Sequence, residues 1–392
     1  MSDNKDVMDV EDTPKKEETS TEDEGLDNES VLQKYRLAAE VVNAAIAYLQ
    51  KECVPGKRVV EICELGDKFI TENAKKCFAK KKGMLKGIAF PTCVNVNQIV
   101  CHYSPYEDDQ LALKENDVVR IDLGAHVDGY ASFGAHTFIL TNNQITGRAA
   151  DVFAAAQTAL HVATRLLKPG KKNSEITAAI KKISEEFGVS PAEGVLSHQI
   201  KRFVLDGQNT IILKETLDHH VEEVTFEENT VYVLDLVFTT SGEGRLKETQ
   251  PKTGVYRRQA ETSYNLKTQS ARSTLNDINT RFGTFPFSVR ALDKKTGRIG
   301  IVELFRHNLI DPYPVLCEKA GETAVHLKST VLLLPRETQV LTGTQTIQSY
   351  VSEKKLQDAN LLAVLATNLK SAKKKGKKDK KASDDTMDTT QE

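Results

Sequence analysis

Of the residues able to do chemistry, Asp122 has the most informative setting. It lies in residues 120–138, RIDLGAHVDGYASFGAHTF, where two apolar, β-rich runs flank Asp128-Gly129. Asp-Gly between such runs signals a two-residue hairpin turn. Counting back from a Val127–Tyr130 pair sets Gly124 opposite Phe133 and Asp122 opposite Ala135. Side chains alternate with period two, so Asp122 and Phe133 share a face as diagonal neighbours, about 7–8 Å apart. Two carboxylates at that spacing can clamp a pair of metal ions, which sit about 3.5–4 Å apart in two-metal hydrolases. The diagonal position holds a phenyl ring instead, with no lone pair to offer a hard cation.

Charge supplies the second signal. Lys plus Arg is 53 and Asp plus Glu is 55, a net of −2 that hides a polar layout. Residues 1–30 carry twelve acids against Lys5, Lys15 and Lys16. Near the other end, Lys373, Lys374, Lys375, Lys377, Lys378, Lys380 and Lys381 face only Asp379. A third group, Arg245, Lys247, Lys252, Arg257, Arg258, Lys267 and Arg272, is interleaved with Tyr256 and Tyr264. Lys80, Lys81 and Lys82 with Lys86 make a fourth. Bases with scattered aromatics fit phosphate contacts and base stacking, although a solvated helix face fits the same residues. A lysine run serves nuclear or nucleolar addressing as well as nucleic-acid attraction. Several separate clusters on a chain of net charge −2 favour a nucleic-acid partner.

Other chemistries leave no trace. There is no dinucleotide or P-loop glycine signature and no Gly-x-Ser-x-Gly, and Gly242-Glu243-Gly244 reads as a turn. No apolar run approaches the ~20 residues of a membrane span, and no basic-then-apolar leader opens the chain, so an intracellular protein without membrane insertion is expected. The cysteines, Cys53, Cys63, Cys77, Cys93, Cys101 and Cys317, form no Cys-x-x-Cys pair and read as reduced, packed thiols.

The elements that must position Asp122 follow from periodicity. Residues 1–28 are an acidic tail too polar to order itself. An amphipathic helix from residue 28 ends at Val54-Pro55-Gly56, and a second follows over about 58–78. The figure returns over 148–168, Pro169-Gly170 and 173–187, offset by 114 positions, which reads as an internal duplication. Each helix pair precedes a β-rich segment: 87–140 in the first half, then strands near 194–205 and 230–240. The expected class is α/β (α+β), two αα-β halves about a pseudo-twofold with a cleft between them. Between about 242 and 302 a helical, basic insertion is expected, followed by a strand at 325–334. Residues 341–372 form an extension whose leucines suggest a short helix docked on the core, and 373–392 a lysine-rich tail.

The hairpin, Phe90-Pro91-Thr92, His102-Tyr103-Ser104-Pro105 and Asp311-Pro312-Tyr313-Pro314 resemble type 2 methionine aminopeptidases of the pita-bread fold. That resemblance implies two metals held by Asp, Asp, His, Glu and Glu. Residue by residue, the set falls here on Asp122, Phe133, His198, Asp235 and Lys328. Asp235 is one methylene short, a shift of about 1 Å against a tolerance of about 0.2 Å for a metal bond. An ammonium at Lys328 only donates, and like unit charges 4 Å apart repel by about 4 kcal/mol at an effective dielectric of 20. Lys328 is therefore expected where a metal would sit, neutralising Asp122 or Asp235 in a buried pair. The substrate histidine of the family matches His102, and a second cleft histidine falls on Asp206. With their partners gone, His102 and His198 read as hydrogen-bonded core histidines.

These losses, with an acidic start and a lysine-rich end, are similar to the proliferation-associated, ErbB receptor-binding proteins over about residues 30–340. That resemblance implies a fold without catalysis or cofactor, which binds RNA and ribonucleoprotein particles, the large ribosomal subunit included. It also implies roles in rRNA processing, translation and growth control, a nucleolar and cytoplasmic distribution, a monomer, and transcriptional or receptor-derived protein partners. Two other readings stand beside it: a DNA-binding transcriptional co-regulator, and an active aminopeptidase with an unusual site.

Overall fold

The computed structural model describes residues 25–248, 253–343, 345 and 348–370. Lys252, the acidic segment before residue 25 and the lysines at 373–381 lie outside the described residues. Two helices come first: α1 (Glu29–Glu52), whose N-cap Asn28 accepts from the Ser30 amide at 2.8 Å, and α2 (Val59–Lys76). Strands β1 (Lys86–Val96), β2 (Ile99–Cys101), β3 (Val118–Val127) and β4 (Tyr130–Ile139) follow. A second helix pair, α3 (Gly147–Leu166) and α4 (Asn173–Phe187), leads into β5 (Ser190–Pro191), β6 (Leu196–Ile200), β7 (Thr210–Ile212) and β8 (Thr230–Thr239).

The turn between β3 and β4 has the form its residues dictate. Asp128 (φ 57°) and Gly129 (φ 83°) both take left-handed backbone, the requirement of a type I′ hairpin. The register is Val127↔Tyr130, Gly124↔Phe133 and Asp122↔Ala135. The duplication is equally visible. Gly56 donates to the Leu113 carbonyl at 2.7 Å and Gly170 to Phe226 at 2.9 Å. Bridges Arg58↔Ala112 and Lys172↔Thr225 stand beside them.

The remaining elements are β9 (Lys247–Glu248), β10 (Val255–Arg258), α5 (Gln269–Arg281), β11 (Phe287–Ser288), α6 (Thr296–Arg306), β12 (Ile310–Pro312), β13 (Leu316–Cys317), β14 (Ala324–Leu334), β15 (Glu337–Val340) and α7 (Ala359–Leu365). The main sheet runs β1-β3-β4-β14-β8-β6-β7, with β15 on β14 and β5 on β8. Two three-strand sets, β1-β3-β4 and β14-β8-β6, thus meet at the β4–β14 seam. One core lies beneath α1 and α2 (Ile46, Leu49, Ile62, Ile121, Leu123), the other beneath α3 and α4 (Phe153, Ile180, Ile183, Leu236, Phe238). The opposite face of the seam is left to the cleft.

The insertion carries the two α-helices expected of a helical segment, together with short strands. It opens with strands, and β10 is the middle of a three-stranded sheet, β11-β10-β12. Val255 and Tyr256 are β-formers, but a four-residue strand ending in two arginines offers too little alternation to read. Its α-helices are α5 and α6, and α6 continues past residue 302 to Arg306. At the far end α7 docks on the second core through Leu361, with Leu356, Val364 and Leu365 packed beside it. All six cysteines are free; Cys77 and Cys317 are half-buried and the others buried.

Phe133 governs what can stand opposite it. A Cβ on Gly124 would lie 2.5 Å from the Phe133 ring and 3.1 Å from the Phe90 amide nitrogen. Gly124→Ala should therefore cost about 1–3 kcal/mol in urea unfolding, as overpacking does. In a Phe133→Ala background that cost should largely vanish. An undiminished cost would locate the strain in the backbone instead of the ring.

Candidate functional site

The pairing places four residues in one row across four strands. Asp122 on β3 faces Ala135 on β4, Ala135 faces Lys328 on β14, and Lys328 faces Asp235 on β8. Neighbouring strands are about 4.8 Å apart, so Asp122 and Lys328 stand two spacings from each other. Only the methyl group of Ala135 lies between, and the lysine stem reaches across it. Lys328 Nζ donates to both oxygens of Asp122, at 3.0 and 2.8 Å, and pairs with Asp235 Oδ2 at 3.0 Å. The second Asp235 oxygen meets His326 Nε2 at 2.7 Å. His326, two residues before Lys328 on the same face of β14, escaped the sequence reading, although the period of a strand puts it there.

The row is deeply placed: Asp122 is 0% exposed and Lys328 8%. Burial works against the charge on Lys328, but Asp122 and Asp235 overcome it and hold the ammonium well above the ordinary lysine range. Burial likewise opposes ionisation of Asp235, and Lys328 and His326 reverse this, holding it well below the usual carboxylate range. Each charged group is thus sustained by its neighbours.

These residues do not fit a pair of divalent cations. The carboxylate oxygens are taken by donors, an ammonium stands between them, and the next residue along β4 on the same face is Phe133, an aromatic ring. Among the described residues no three His, Cys, Asp or Glu side chains converge to hold a metal ion. Thr330 on β14 takes up the backbone of Phe133 instead, accepting from its amide at 2.8 Å and donating to its carbonyl at 3.1 Å.

The cleft itself persists as a cavity of roughly 400 Å³ above the row. Phe90, His102 and Tyr313 line one wall, with ring centroids 5.2–6.0 Å apart. His102 sits at φ 65°, its Nδ1 2.9 Å from the Pro314 carbonyl, and burial lowers its pKa. His198 is half-buried; its ring has a backbone hydrogen bond at Gly207, while its enclosed Nδ1 has no hydrogen-bond partner among the described residues. It lines the same cavity as Asp235 and Lys328, beside the space the missing ligands leave. Asp206 stands at the mouth and pairs with Arg257, which also lies 3.8 Å from Asp311.

Arg257 is therefore a cleft residue and not part of an open basic surface, and others of its group are also engaged. Arg258 donates to the Leu309 carbonyl at 2.9 Å and the Thr262 carbonyl at 3.2 Å, fixing the loop after β10. Arg272 holds the Leu266 carbonyl at 2.8 Å, and Arg245 pairs with Glu193 at 3.1 Å. Tyr256 packs among Phe287 and Phe305, and Tyr264 stacks on His307 at 3.7 Å. These arginines have partners within the chain, while Arg245 and Arg272 stay exposed at the surface. Lys247 and Lys267 remain exposed, and Lys80, Lys81 and Lys82 are exposed together with Lys75 and Lys76, which join them at one corner. Lys86 instead caps α2, donating to the Cys77 carbonyl at 2.6 Å.

The mirrored strand order, the doubled helix pairs and a charged row at the seam define the class: an aminopeptidase-type pita-bread fold. Residues 33–254 match the model of metallopeptidase family M24. ERBB-3 binding protein 1 of Solanum tuberosum is 42% identical over 358 residues, covering 91% of this chain and 92% of its own. Proliferation-associated protein A of Dictyostelium discoideum is 41% identical over 367 residues, covering 93% and 95%. A "Curved DNA-binding protein" of Schizosaccharomyces pombe is 39% identical over 372 residues, covering 92% and 97%. Among solved structures, a thermophilic Arx1 superposes with a TM-score of 0.82 at 26% identity, over 88% of this chain and 100% of that one. The chain belongs to metallopeptidase family M24 and, within it, to the proliferation-associated, ErbB receptor-binding proteins.

The row makes a pH-dependent prediction. Asp235 is depressed, so its contribution is present above about pH 4 and is lost as pH falls through the lower folded value. Lys328 is raised, so its contribution is present below about pH 10.4 and is lost only above that. Lys328→Met leaves two carboxylates facing each other and should cost about 3–5 kcal/mol at pH 7. Their folded pKa values would then exceed the unfolded ones, so this deficit should shrink as pH falls from 7 to 5. Urea unfolding at both pH values measures it; a deficit unchanged between them would mean that the carboxylates do not face each other.

Proposed function

We propose that the protein is a non-catalytic member of family M24 that binds RNA and ribonucleoprotein particles, the large ribosomal subunit among them. The observation that carries the first half is the Lys328 ammonium bonded to Asp122 and Asp235. A hydrolase of this fold needs an activated water and a Lewis acid at the seam. Here the acids that would hold metal instead hold a covalently attached cation. The vestigial positions Asp122, Phe133, His198, Asp235 and Lys328, with His102 and Asp206 in the cleft, build structure in place of chemistry.

The second half rests on charge. The exposed lysines at 75–82, Lys247, Lys267 and the lysines at 373–381 supply phosphate contacts without base readout. In this reading the protein acts as a monomer in ribosome biogenesis, translation and growth control, and moves between cytoplasm and nucleolus. Its protein partners are receptor-derived or transcriptional, as the name ERBB-3 binding protein suggests for the potato relative. Among the described residues no helix is long and apolar enough to cross a membrane. A DNA-binding reading is favoured by one observation, the name of the fission yeast relative.

Two measurements test the proposal. Dialysed protein should hold far less than one equivalent of manganese, cobalt, zinc or iron by elemental analysis. It should also release no methionine from a Met-peptide with manganese or cobalt added; bound metal with turnover overturns the reading. For the partner, affinity for structured RNA and for isolated large subunits should fall steeply between 50 and 200 mM salt, with a slope of about −0.7 to −0.9 for each phosphate neutralised. Reversing Lys80, Lys81 and Lys82 to Glu and deleting 373–381 should flatten that slope by about one for each phosphate no longer neutralised. Duplex DNA of equal length, if it competes more strongly than RNA, supports the alternative.

A further inference from the structure

Three large apolar side chains stand in solvent on one helix. Ile299 (64% exposed), Val302 (57%) and Phe305 (50%) recur every third residue along α6. The opposite side of α6, Gly297, Gly300, Ile301 and Leu304, is buried against α5 and the small sheet. The exposed stripe is therefore not the face that holds the helix down. Lys295, Arg298 and Arg306 are exposed along its borders. Arg298 is tied to Glu107 at 2.6 Å and lies over the Tyr106 ring at 5.4 Å, which presents it at the edge of the stripe. A contiguous apolar stripe rimmed by cations calls for a covering surface that is apolar and acidic.

The chain supplies such a surface itself. Residues 1–24 hold ten acids against three lysines. Within them, Asp6, Asp9, Glu11 and Asp12 bracket Val7, Met8 and Val10, an apolar group flanked by charges of the opposite sign. The segment joins the fold at the start of α1. Leu26 is buried in the core that contains Tyr130, and Asn28 caps α1. Lys34 on α1 bonds Asp128 at 2.7 Å, Arg202 bonds the same residue at 2.9 Å, and Thr284 of the insertion donates to the Phe203 carbonyl at 2.9 Å. Root and insertion are thus joined by a short run of contacts. The residues between 12 and 26 span up to roughly 45–50 Å when extended.

We propose that the acidic N-terminal segment docks in cis on α6, with Val7, Met8 and Val10 on the apolar stripe and its acids beside Lys295, Arg298 and Arg306. A second copy of the chain would bring like charges face to face, which disfavours association. Phosphate contacts have no use for aliphatic side chains, which neither stack on bases nor neutralise charge.

The test uses the full chain and a fluorescent peptide of residues 1–24, followed by anisotropy at 50 mM salt. The wild-type chain, with its stripe covered, should bind the peptide about tenfold more weakly than a full chain carrying Val7→Ser, Met8→Ser and Val10→Ser. Adding Ile299→Ser and Phe305→Ser, or Lys295→Glu and Arg306→Glu, to the opened chain should remove that gain, and these four α6 sites are exposed. Equal peptide binding by wild-type and opened chains overturns the proposal, as does binding indifferent to the α6 changes. If sedimentation shows the opened chain pairing through the stripe, the occupant is a second copy and the proposal fails. If the α6 serines weaken RNA binding but not peptide binding, the stripe is a nucleic-acid surface and it fails equally.

Discussion

The seam of this protein depends on one ion cluster, an ammonium shared by two carboxylates across four adjacent strands. Two acids converging at the meeting point of two sheet halves are stabilised by a cation placed between them. A metalloenzyme takes its cation from solution, and the stability it gains grows with the free metal concentration. Lys328 is attached to β14, so the neutralising charge folds with the chain and no supply can deplete it. The charge balance of the seam is thereby unconditional, since it comes from a side chain of the chain itself.

The replacement works because its neighbours are sized for it. Ala135 stands between Asp122 and Lys328 in the row, and a larger side chain there would block the lysine stem. Two pairs further along the hairpin, on the same face, Phe133 fills the space beside the row, and Gly124 opposite leaves room for its ring. Thr330 then carries the Phe133 backbone hydrogen bonds that join β4 to β14 at that level. Packing and charge balance are solved in adjacent rows of one face, which ties Phe133 and Lys328 together physically.

Much of this was legible in the chain because it rests on local rules. Asp128-Gly129 sets the hairpin register, and counting from it places Asp122 and Phe133 on one face. The paired Pro-Gly breaks at 55–56 and 169–170 expose the duplication, since each lies between amphipathic helices. What stayed hidden depends on partners distant in sequence. The pairing of Arg257 with Asp206 is set by β10 crossing the cleft mouth, which no periodicity in an arginine-rich segment reveals. His326 became meaningful only once Asp235 was seen diagonally across the β14–β8 pair from it. Short strands ending in charged residues read as helix or loop because too few of their side chains are buried to show a period.

The basic insertion shows why a count of charges overstates a binding surface. Arg245, Arg257, Arg258 and Arg272 all serve the fold, through Glu193, Asp206 or backbone carbonyls. Arg257 and Arg258, half-buried, have less of the fork left for a phosphate, whereas Arg245 and Arg272 stay exposed. Lysines behave differently here: those at 80–82, Lys247 and Lys267 project into solvent on flexible stems. Such lysines are compact point charges on flexible stems, suited to attraction by counterion release and not to reading sequence.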